Sequence, residues 1–317
     1  MDVSVIYVNW NAAEEIAASI VSVTEHVRDL DYEIIVVDND SPESCAMLEQ
    51  DGVLLIRNPV NSGFGAGCNL GAAHSRGRYL LFLNPDTRLQ NDILSCLSQF
   101  LDEAPTAGGC GPMVLREDGG IDFGAARADI TVLNEFLEHS TLAFRFPKNS
   151  ILGHPHYLSW DHQSTRTVDS LLGACMMFRR EVFDSLGGFD EKFFLYAEEV
   201  DLCRRTRKAG YDIYYVHTCK VLHKSKHSTT KYFGGMQKMV MQYLVSLNYY
   251  FKKHYGLTGV VAWRMVIFFV YLVRGLLGLR RGYLDYCLWS LGLVSYRHPN
   301  APQGHGATGR DARSDLA

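Results

Sequence analysis

Two short runs hold the residues best suited to chemistry. Leu81-Phe-Leu-Asn84-Pro85-Asp86-Thr87 ends an apolar run on a carboxylate, and Tyr196-Ala-Glu198-Glu199-Val-Asp201 places three carboxylates at the start of a helical pattern. A hard divalent cation takes carboxylate oxygens and bridges substrate phosphates, often through one or two protein carboxylates, so Asp86 is a candidate ligand. Helix-dipole complementation, or pairing of Asp201 with Arg204 or Arg205, accounts for one or two of the three acidic residues. The accumulation suggests more, because mutually repelling carboxylates raise a pKa toward general-base duty. On a helix, Glu198 and Asp201 share a face and Glu199 points elsewhere. His223, closing the strand-like run Val221-Leu-His223, is a candidate metal or phosphate contact. Together these residues suggest metal-assisted group transfer with a carboxylate base.

Such groups need a scaffold, and the first hundred residues supply its pattern. Val3-Ser-Val-Ile-Tyr-Val8 is a nearly continuous apolar run, as parallel strands buried on both faces are. Glu33–Val37, Val53–Ile56 and Tyr79–Leu83 repeat it. Ile16, Ile20, Val23 and Val27 recur at helical spacing between the first two strands, and further helices fit at Gly65–Ser75 and Asp92–Glu103. Strands alternating with helices predict an α/β fold with a mostly parallel, doubly wound sheet, whose ligands bind outside the carboxyl ends of the strands. Those ends carry Asn9 and Asn11, Asp38-Asn39-Asp40-Ser41, Asn61-Ser-Gly63-Phe64-Gly65, and Asn84-Pro85-Asp86. Turn chemistry explains any one cluster; four on one rim predict a binding site. Gly63-Phe-Gly65-Ala-Gly67 fails the dinucleotide fingerprint, since Cys68 stands where a glycine is needed and the strand is the third. Its glycines still permit close approach of a phosphate or sugar at a helix N-terminus.

Later elements follow less regularly. Residues 116–168 are irregular and suggest a substrate-covering region. Leu171–Phe178 reads as one buried strand, Glu198–Lys208 as a helix closed by Gly210, Asp212–Val216 as a strand, and Phe233 onward as helix.

Composition narrows the function classes. A chain of 317 residues, 47% apolar and 21% charged, is an ordinary globular composition. Eight cysteines without a Cys-x-x-Cys pair predict neither a zinc site nor a disulfide framework, and suggest a reducing compartment. Met1-Asp2 runs straight into the strand pattern without a basic region, so no signal peptide is expected and the chain is placed in the cytoplasm. The net charge of −4 conceals fifteen Lys and Arg against one acidic residue, Asp212, between Arg204 and Arg281. Such a block attracts phosphates and anionic lipid. No nucleic-acid motif accompanies it, so nucleic acid is not an expected partner.

The ordered motifs Val5-Ile-Tyr-Val-Asn9-Trp-Asn11, Val37-Asp38-Asn39-Asp-Ser41, Asn61-Ser-Gly63-Phe64-Gly65-Ala-Gly-Cys-Asn69, Asn84-Pro-Asp86 and Glu198-Glu-Val-Asp201-Leu-Cys resemble those of family-2 glycosyltransferases with a GT-A fold. The resemblance covers roughly residues 3–230. Asn-Pro-Asp in place of Asp-x-Asp is most similar to the rhamnosyltransferase-like branch that uses dTDP-L-rhamnose. The resemblance implies inverting, metal-dependent transfer of a sugar to a hydroxyl of a lipid-linked or polysaccharide acceptor in cell-surface glycan synthesis. By position, Asn9 and Asp38 would contact the nucleoside. Asn61, Gly63, Phe64 and Asn69 would shape the donor pocket, with Asn84 also on the donor, and Asp86 and His223 would hold Mg²⁺ or Mn²⁺. The base falls at Glu199, where the family carries Asp, with Glu198 and Asp201 as alternatives. Gly173-Ala174 and Phe189-Asp190 would face the acceptor, and the basic loop Lys220–Lys231 would neutralise the departing diphosphate. Two other readings remain: a non-catalytic sugar-nucleotide or polysaccharide-binding protein, and a nucleotidyltransferase. The latter should carry a Gly-rich basic loop where Asn9-Trp10-Asn11 stands.

The expected organisation is a catalytic domain at 1–230, a helical membrane-associating region at 231–297 and a disordered tail at 298–317. Gly259–Leu279 is apolar but interrupted by Arg264 and Arg274, and a buried Arg at a bilayer centre costs ~2.5–3.5 kcal/mol. An interfacial helix is expected instead, with Lys253, Arg264 and Tyr271 on one stripe and Ile267, Phe268 and Phe269 largely elsewhere. It would lie on the anionic inner face of the cell membrane. A core helix or a homodimer contact is the alternative.

Overall fold

The computed structural model describes residues 1–224, 236–278 and 283–296. The boundary expected at 230, the end of the basic loop and the tail at 298–317 lie outside the described residues. The first half alternates as its apolar runs require: β1 (Val3–Asn9), α1 (Ala13–His26), β2 (Tyr32–Asn39), β3 (Val53–Asn58), α2 (Phe64–Ala73) and β4 (Tyr79–Leu83). Then come β5 (Thr87–Leu89), α3 (Ile93–Glu103), β6 (Ala107–Leu115), β7 (Ala126–Arg127), α4 (Val132–His139) and α5 (Leu142–Arg145). The rest is β8 (Arg166–Thr167), β9 (Ser170–Leu171), β10 (Cys175–Arg179), α6 (Arg180–Ser185), α7 (Glu198–Lys208), β11 (Asp212–His223), α8 (Met236–Leu276) and α9 (Tyr283–Ser290).

The sheet runs β3-β2-β1-β4-β10-β6-β11-β5, with β8 alongside β11. β1 pairs in parallel with both β2 and β4. β10 runs antiparallel to β4 and β6, and β5 and β8 run antiparallel to β11. The parallel half therefore carries the first four strands, and a mixed half begins at β10. The expected strand at Leu171–Phe178 is two strands, β9 and β10, interrupted at Leu172-Gly173-Ala174. The region 116–168 is more ordered than expected, since it carries β7, β8, α4 and α5.

β6 escapes a pattern-based reading because its sequence is Ala-Gly-Gly-Cys-Gly-Pro-Met-Val-Leu. The packing demands one of those glycines: a Cβ on Gly109 would lie 2.8 Å from the Phe178 ring on the neighbouring strand. Pro112, which cannot donate to a ladder, sits where the β6–β11 register slips between Val216 and Lys220. That slip also explains why β11 continues past Val216 to His223.

Two hydrophobic clusters form. The larger fills both faces of the sheet, and the smaller joins Met241, Leu244, Leu247, Tyr250, Phe251, Trp263, Ile267 and Tyr271 of α8 to α9 and to Phe193, Ala197 and Val200 at the start of α7. α8 is broken at Gly256, whose φ of 68° interrupts the helix. By length and composition it could cross a membrane, and only 17% of its most apolar stretch is buried.

Three expectations about composition change in the fold. Cys96 and Cys219 form a disulfide across 123 residues, a pairing that no local spacing announces because the sheet brings α3 and β11 together. Part of the basic excess of the C-terminal half is paired with distant acids: Arg204 and Arg207 with Asp129, and Lys253 with Asp190. The supposed outward stripe faces inward. Lys253 reaches Asp190 and Asp201, Arg264 donates to Asn248 Oδ1 at 2.9 Å, and Tyr271 is buried against His139. Ile267 is fully buried too.

Candidate active site

A cavity of about 300 Å³ opens where the carboxyl ends of the parallel strands meet the start of α7. Three of the four rim clusters reach it, through Asn39 at the end of β2, Asn61, Gly63 and Phe64 before and in α2, and Asn84-Pro85-Asp86 after β4; after β1 it is Trp10, between Asn9 and Asn11, that lines it. Leu172-Gly173-Ala174, Phe194-Leu195-Tyr196, Glu198, Glu199 and His223 complete the lining.

β5 pairs with the end of β11, with Thr87 opposite His223, so the His falls beside Asp86. His223 Nε2 lies 3.1 Å from Asp86 Oδ1. Burial alone would raise the Asp86 pKa, but the hydrogen bond and charge of His223 outweigh it and hold the carboxyl below its ordinary value. His223 Nδ1 is buried without a hydrogen-bond partner. One carboxylate and one imidazole fit a Mg²⁺ or Mn²⁺ ion that draws its remaining ligands from water and phosphate. Among the described residues no group of three His, Cys, Asp or Glu side chains could enclose an ion without such help.

The backbone turns sharply before α7. Tyr196 and Ala197 take φ of 73° and 69°, a left-handed pair that costs of order 1–3 kcal/mol per residue outside glycine. Surrounding bonds hold the turn: Phe64 N donates to Phe194 O at 3.1 Å and Ser246 Oγ to Leu195 O at 2.6 Å. Gly63 makes the first contact possible, because a Cβ there would stand 2.2 Å from Phe194 O, and its own φ is 92°. The turn delivers Glu198 and Glu199 to the cavity. Burial, and then the neighbouring Glu199 charge, push the Glu198 carboxyl well up, and its Oε2 has no hydrogen-bond partner. Burial also raises Glu199, against the charge of Arg127. Gly173 leaves the space beside Glu199 open, since a Cβ there would touch its side chain at 3.7 Å.

Asp201 corrects one expectation. It is fully buried and outside the cavity, with Oδ2 2.7 Å from Arg205 Nε and Oδ1 2.7 Å from both Lys253 Nζ and His254 Nε2. Burial would raise its pKa, yet the His254 hydrogen bond and the charges of Arg205 and Lys253 hold it at about 2. It is a strut between α7 and α8, and the pair at the cavity is Glu198 with Glu199 rather than Glu198 with Asp201.

Three expected donor residues stand behind the wall. Asn9 is fully buried, donating to Asp38 Oδ1 at 2.8 Å and accepting from Ala12 N at 3.0 Å. Asp38 is itself buried and outside the cavity lining. Asn69 clamps α2 to the loop before α7, donating to Phe189 O at 2.9 Å and accepting from Phe189 N at 2.8 Å. Phe189-Asp190, expected to face the acceptor, serve this clamp and the Lys253 pair instead. Asn39, Trp10 and Tyr196, which carry no individual role in the sequence reading, line the cavity. Asn39 donates to Asn61 Oδ1 at 3.0 Å and Gly63 O at 3.1 Å, and accepts from Asn58. Successive strand residues point to opposite sides, so Asp38-Asn39 could place only one member there.

With this geometry in view, the relatives are informative. The family model described as glycosyl transferase family 2 matches residues 4–187. The chain belongs to that family. A second model, the N-terminal domain of galactosyltransferase, matches residues 154–231. The chain is 30% identical over 214 residues to an N-acetylglucosaminyl-diphospho-decaprenol L-rhamnosyltransferase of Mycobacterium tuberculosis, covering 62% of this chain and 67% of the relative. It is 28% identical to rhamnosyltransferase WbbL of Escherichia coli K12, covering 64% and 76%. Among solved structures, GalNAc-T7 with UDP, GalNAc and Mn²⁺ superposes with a TM-score of 0.55 at 16% identity, covering 78% of this chain and 47% of that one. TarS 1–349 of S. aureus gives 0.50 at 16%, covering 94% and 93%. The protein is a family-2 glycosyltransferase with the expected GT-A fold.

Proposed function

We propose that this glycosyltransferase moves L-rhamnose from dTDP-L-rhamnose, with inversion, to a sugar hydroxyl on a prenyl-diphosphate carrier. The observation that carries the reading is that one cavity is lined by both the Asp86–His223 pair and a glutamate pair with raised pKa. Donor and acceptor classes are supported by the names of the rhamnosyltransferase relatives.

In this reading the nucleoside lies over the Asn39–Asn61 network and Trp10, with the diphosphate beside Asn84 and Asp86. Asp86 and His223 hold Mg²⁺ or Mn²⁺, which when bound offsets the charge of the departing diphosphate. Glu199 takes the proton of the acceptor hydroxyl as that oxygen bonds to the anomeric carbon, and the electron pair of the broken bond leaves with the diphosphate. A carboxyl pushed upward by burial is a better base near neutral pH than an ordinary glutamate, and such help contributes typically 10²–10⁴ in rate. Burial and the Glu199 charge raise Glu198 further than Glu199, so of the two Glu199 is the one better suited to accept the proton.

The enzyme acts at the cytoplasmic face of the membrane. Leu257, Val261, Met265, Phe269, Val273 and Leu276 of α8 are exposed at near-helical spacing, an apolar stripe suited to an interfacial helix. The test incubates the full chain with a panel of nucleotide sugars, Mg²⁺ or Mn²⁺, and N-acetylglucosaminyl-diphospho-prenol. Transfer from dTDP-L-rhamnose above all other donors is expected. Preference for a different donor refutes the rhamnosyl assignment, and no turnover of any donor refutes the enzyme reading.

A further inference from the structure

A second surface element stands apart from the cavity. After α4 the chain makes a compact turn whose backbone closes on itself: Phe146 N donates to Leu142 O at 3.0 Å, Asn149 N to Phe146 O at 3.1 Å and Gly153 N to Asn149 O at 2.8 Å. This ordered turn holds large apolar side chains outward, with Phe144, Phe146 and Ile151 exposed to 56%, 46% and 67%. Exposed apolar groups that cluster on an ordered element mark an interaction surface rather than scatter. Arg145 and Lys148 are interleaved with them, both exposed, and no acidic residue occurs from His139 through Trp160.

The turn is fixed to the far end of α8. Arg274 Nη1 donates to His139 O at 2.7 Å, and His139 Nδ1 and Tyr271 Oη lie 2.9 Å apart. Residues 140–152 therefore emerge beside the last turns of α8, where Leu276 and Leu277 are exposed to 79% and 69%. The neighbouring segment adds Arg145 and Lys148 to the exposed Lys238 and Lys252 of the helix, while Arg264 and Arg274 are engaged by Asn248 and His139.

We propose that the Phe144–Ile151 turn is a second membrane-insertion element, which embeds its aromatic side chains at the headgroup level of an anionic bilayer while Arg145 and Lys148 meet lipid phosphates. The inference rests on the interfacial reading of α8 and extends it to a two-point attachment. Aromatic and basic residues alternating at an interface combine apolar burial with attraction to anionic lipid. Two points also fix the rotation of the enzyme about α8, which a single helix does not.

Flotation of the full chain with phosphatidylglycerol vesicles at low salt tests this, using three variants at exposed positions. The turn variant Phe144→Ser/Phe146→Ser/Ile151→Ser should lower the partition coefficient at least tenfold. Arg145→Gln/Lys148→Gln should lower it about thirty-fold, a figure that follows from ~1 kcal/mol per basic residue and shrinks with salt. The helix variant Val261→Ser/Met265→Ser/Phe269→Ser should also weaken binding. If both turn variants float like the unmodified chain while the helix variant does not, the turn proposal is overturned and the reading of α8 stands. If the unmodified chain does not float, both fall. Loss of self-association in sedimentation without a change in flotation would identify the turn as a contact between copies and overturn it too.

Discussion

Replacing Asp201 by Asn tests whether the catalytic helix is anchored as described. Asp201 is fully buried among Arg205, Lys253 and His254, which hold its carboxyl at about 2 against an ordinary 3.8. At ~1.4 kcal/mol for each tenfold change in proton affinity, that difference is worth about 2 kcal/mol of stability at neutral pH. The substitution also weakens the ion pairs that Asp201 makes with Arg205 and Lys253. A carboxyl whose folded pKa is depressed contributes stability above its unfolded pKa, and that stability is lost as pH falls through the folded value. The gap between the parent and Asp201→Asn should therefore be full at pH 7, about half at pH 3 and gone below about pH 2. Equilibrium urea unfolding of both proteins across this range is the assay. Equal stability at pH 7, or a gap that does not narrow by pH 3, would refute the reasoning. Since α7 also carries Glu198 and Glu199, the variant should lose transfer rate as α7 loosens from α8.

Other consequences are more local. Asp86→Ala should abolish metal-dependent transfer with the fold intact by circular dichroism, and EDTA should silence the parent; full activity in either case contradicts the assignment of Asp86. Gly63→Ala places a Cβ 2.2 Å from Phe194 O at a left-handed φ, so a loss of 2 kcal/mol or more in thermal unfolding is expected, and an unchanged Tm would show that the turn before α7 does not need this approach. The transfer rate should rise with pH through an acid limb lying above the ordinary glutamate value of 4.5, because burial raises Glu199; a limb at or below that value would count against a buried base.

Legibility from sequence followed the physics of each element. β1, β2 and β4 announce themselves because burial on both faces demands continuous apolar runs. β3, also expected to be buried, is an edge strand with Leu54 exposed, and α7 is legible because its polar pattern ends at Gly210. β6 is not, since Gly109 and Pro112 answer to the Phe178 ring and a register slip that exist only in the folded sheet. The rim clusters were readable as a site, but their orientations were not: Asn9, Asp38 and Asn69 share the polar character of Asn39 and Asn61, and only packing decides which line the cavity and which brace it. Asp201 looked like Glu198 in sequence and became a strut because Lys253 and His254 come from a helix far along the chain. The disulfide and the pairing of Arg204, Arg207 and Lys253 with distant acids were invisible for the same reason.

The central claim is that the cavity lined by the Asp86–His223 pair and the glutamates is where the sugar is transferred, with Glu199 as the base. The most direct test measures single-turnover transfer and donor affinity for Glu199→Gln beside the parent. The account predicts a rate lower by about 10²–10⁴, the usual size of general-base help, with donor Kd little changed. Near-normal transfer in Glu199→Gln would contradict it.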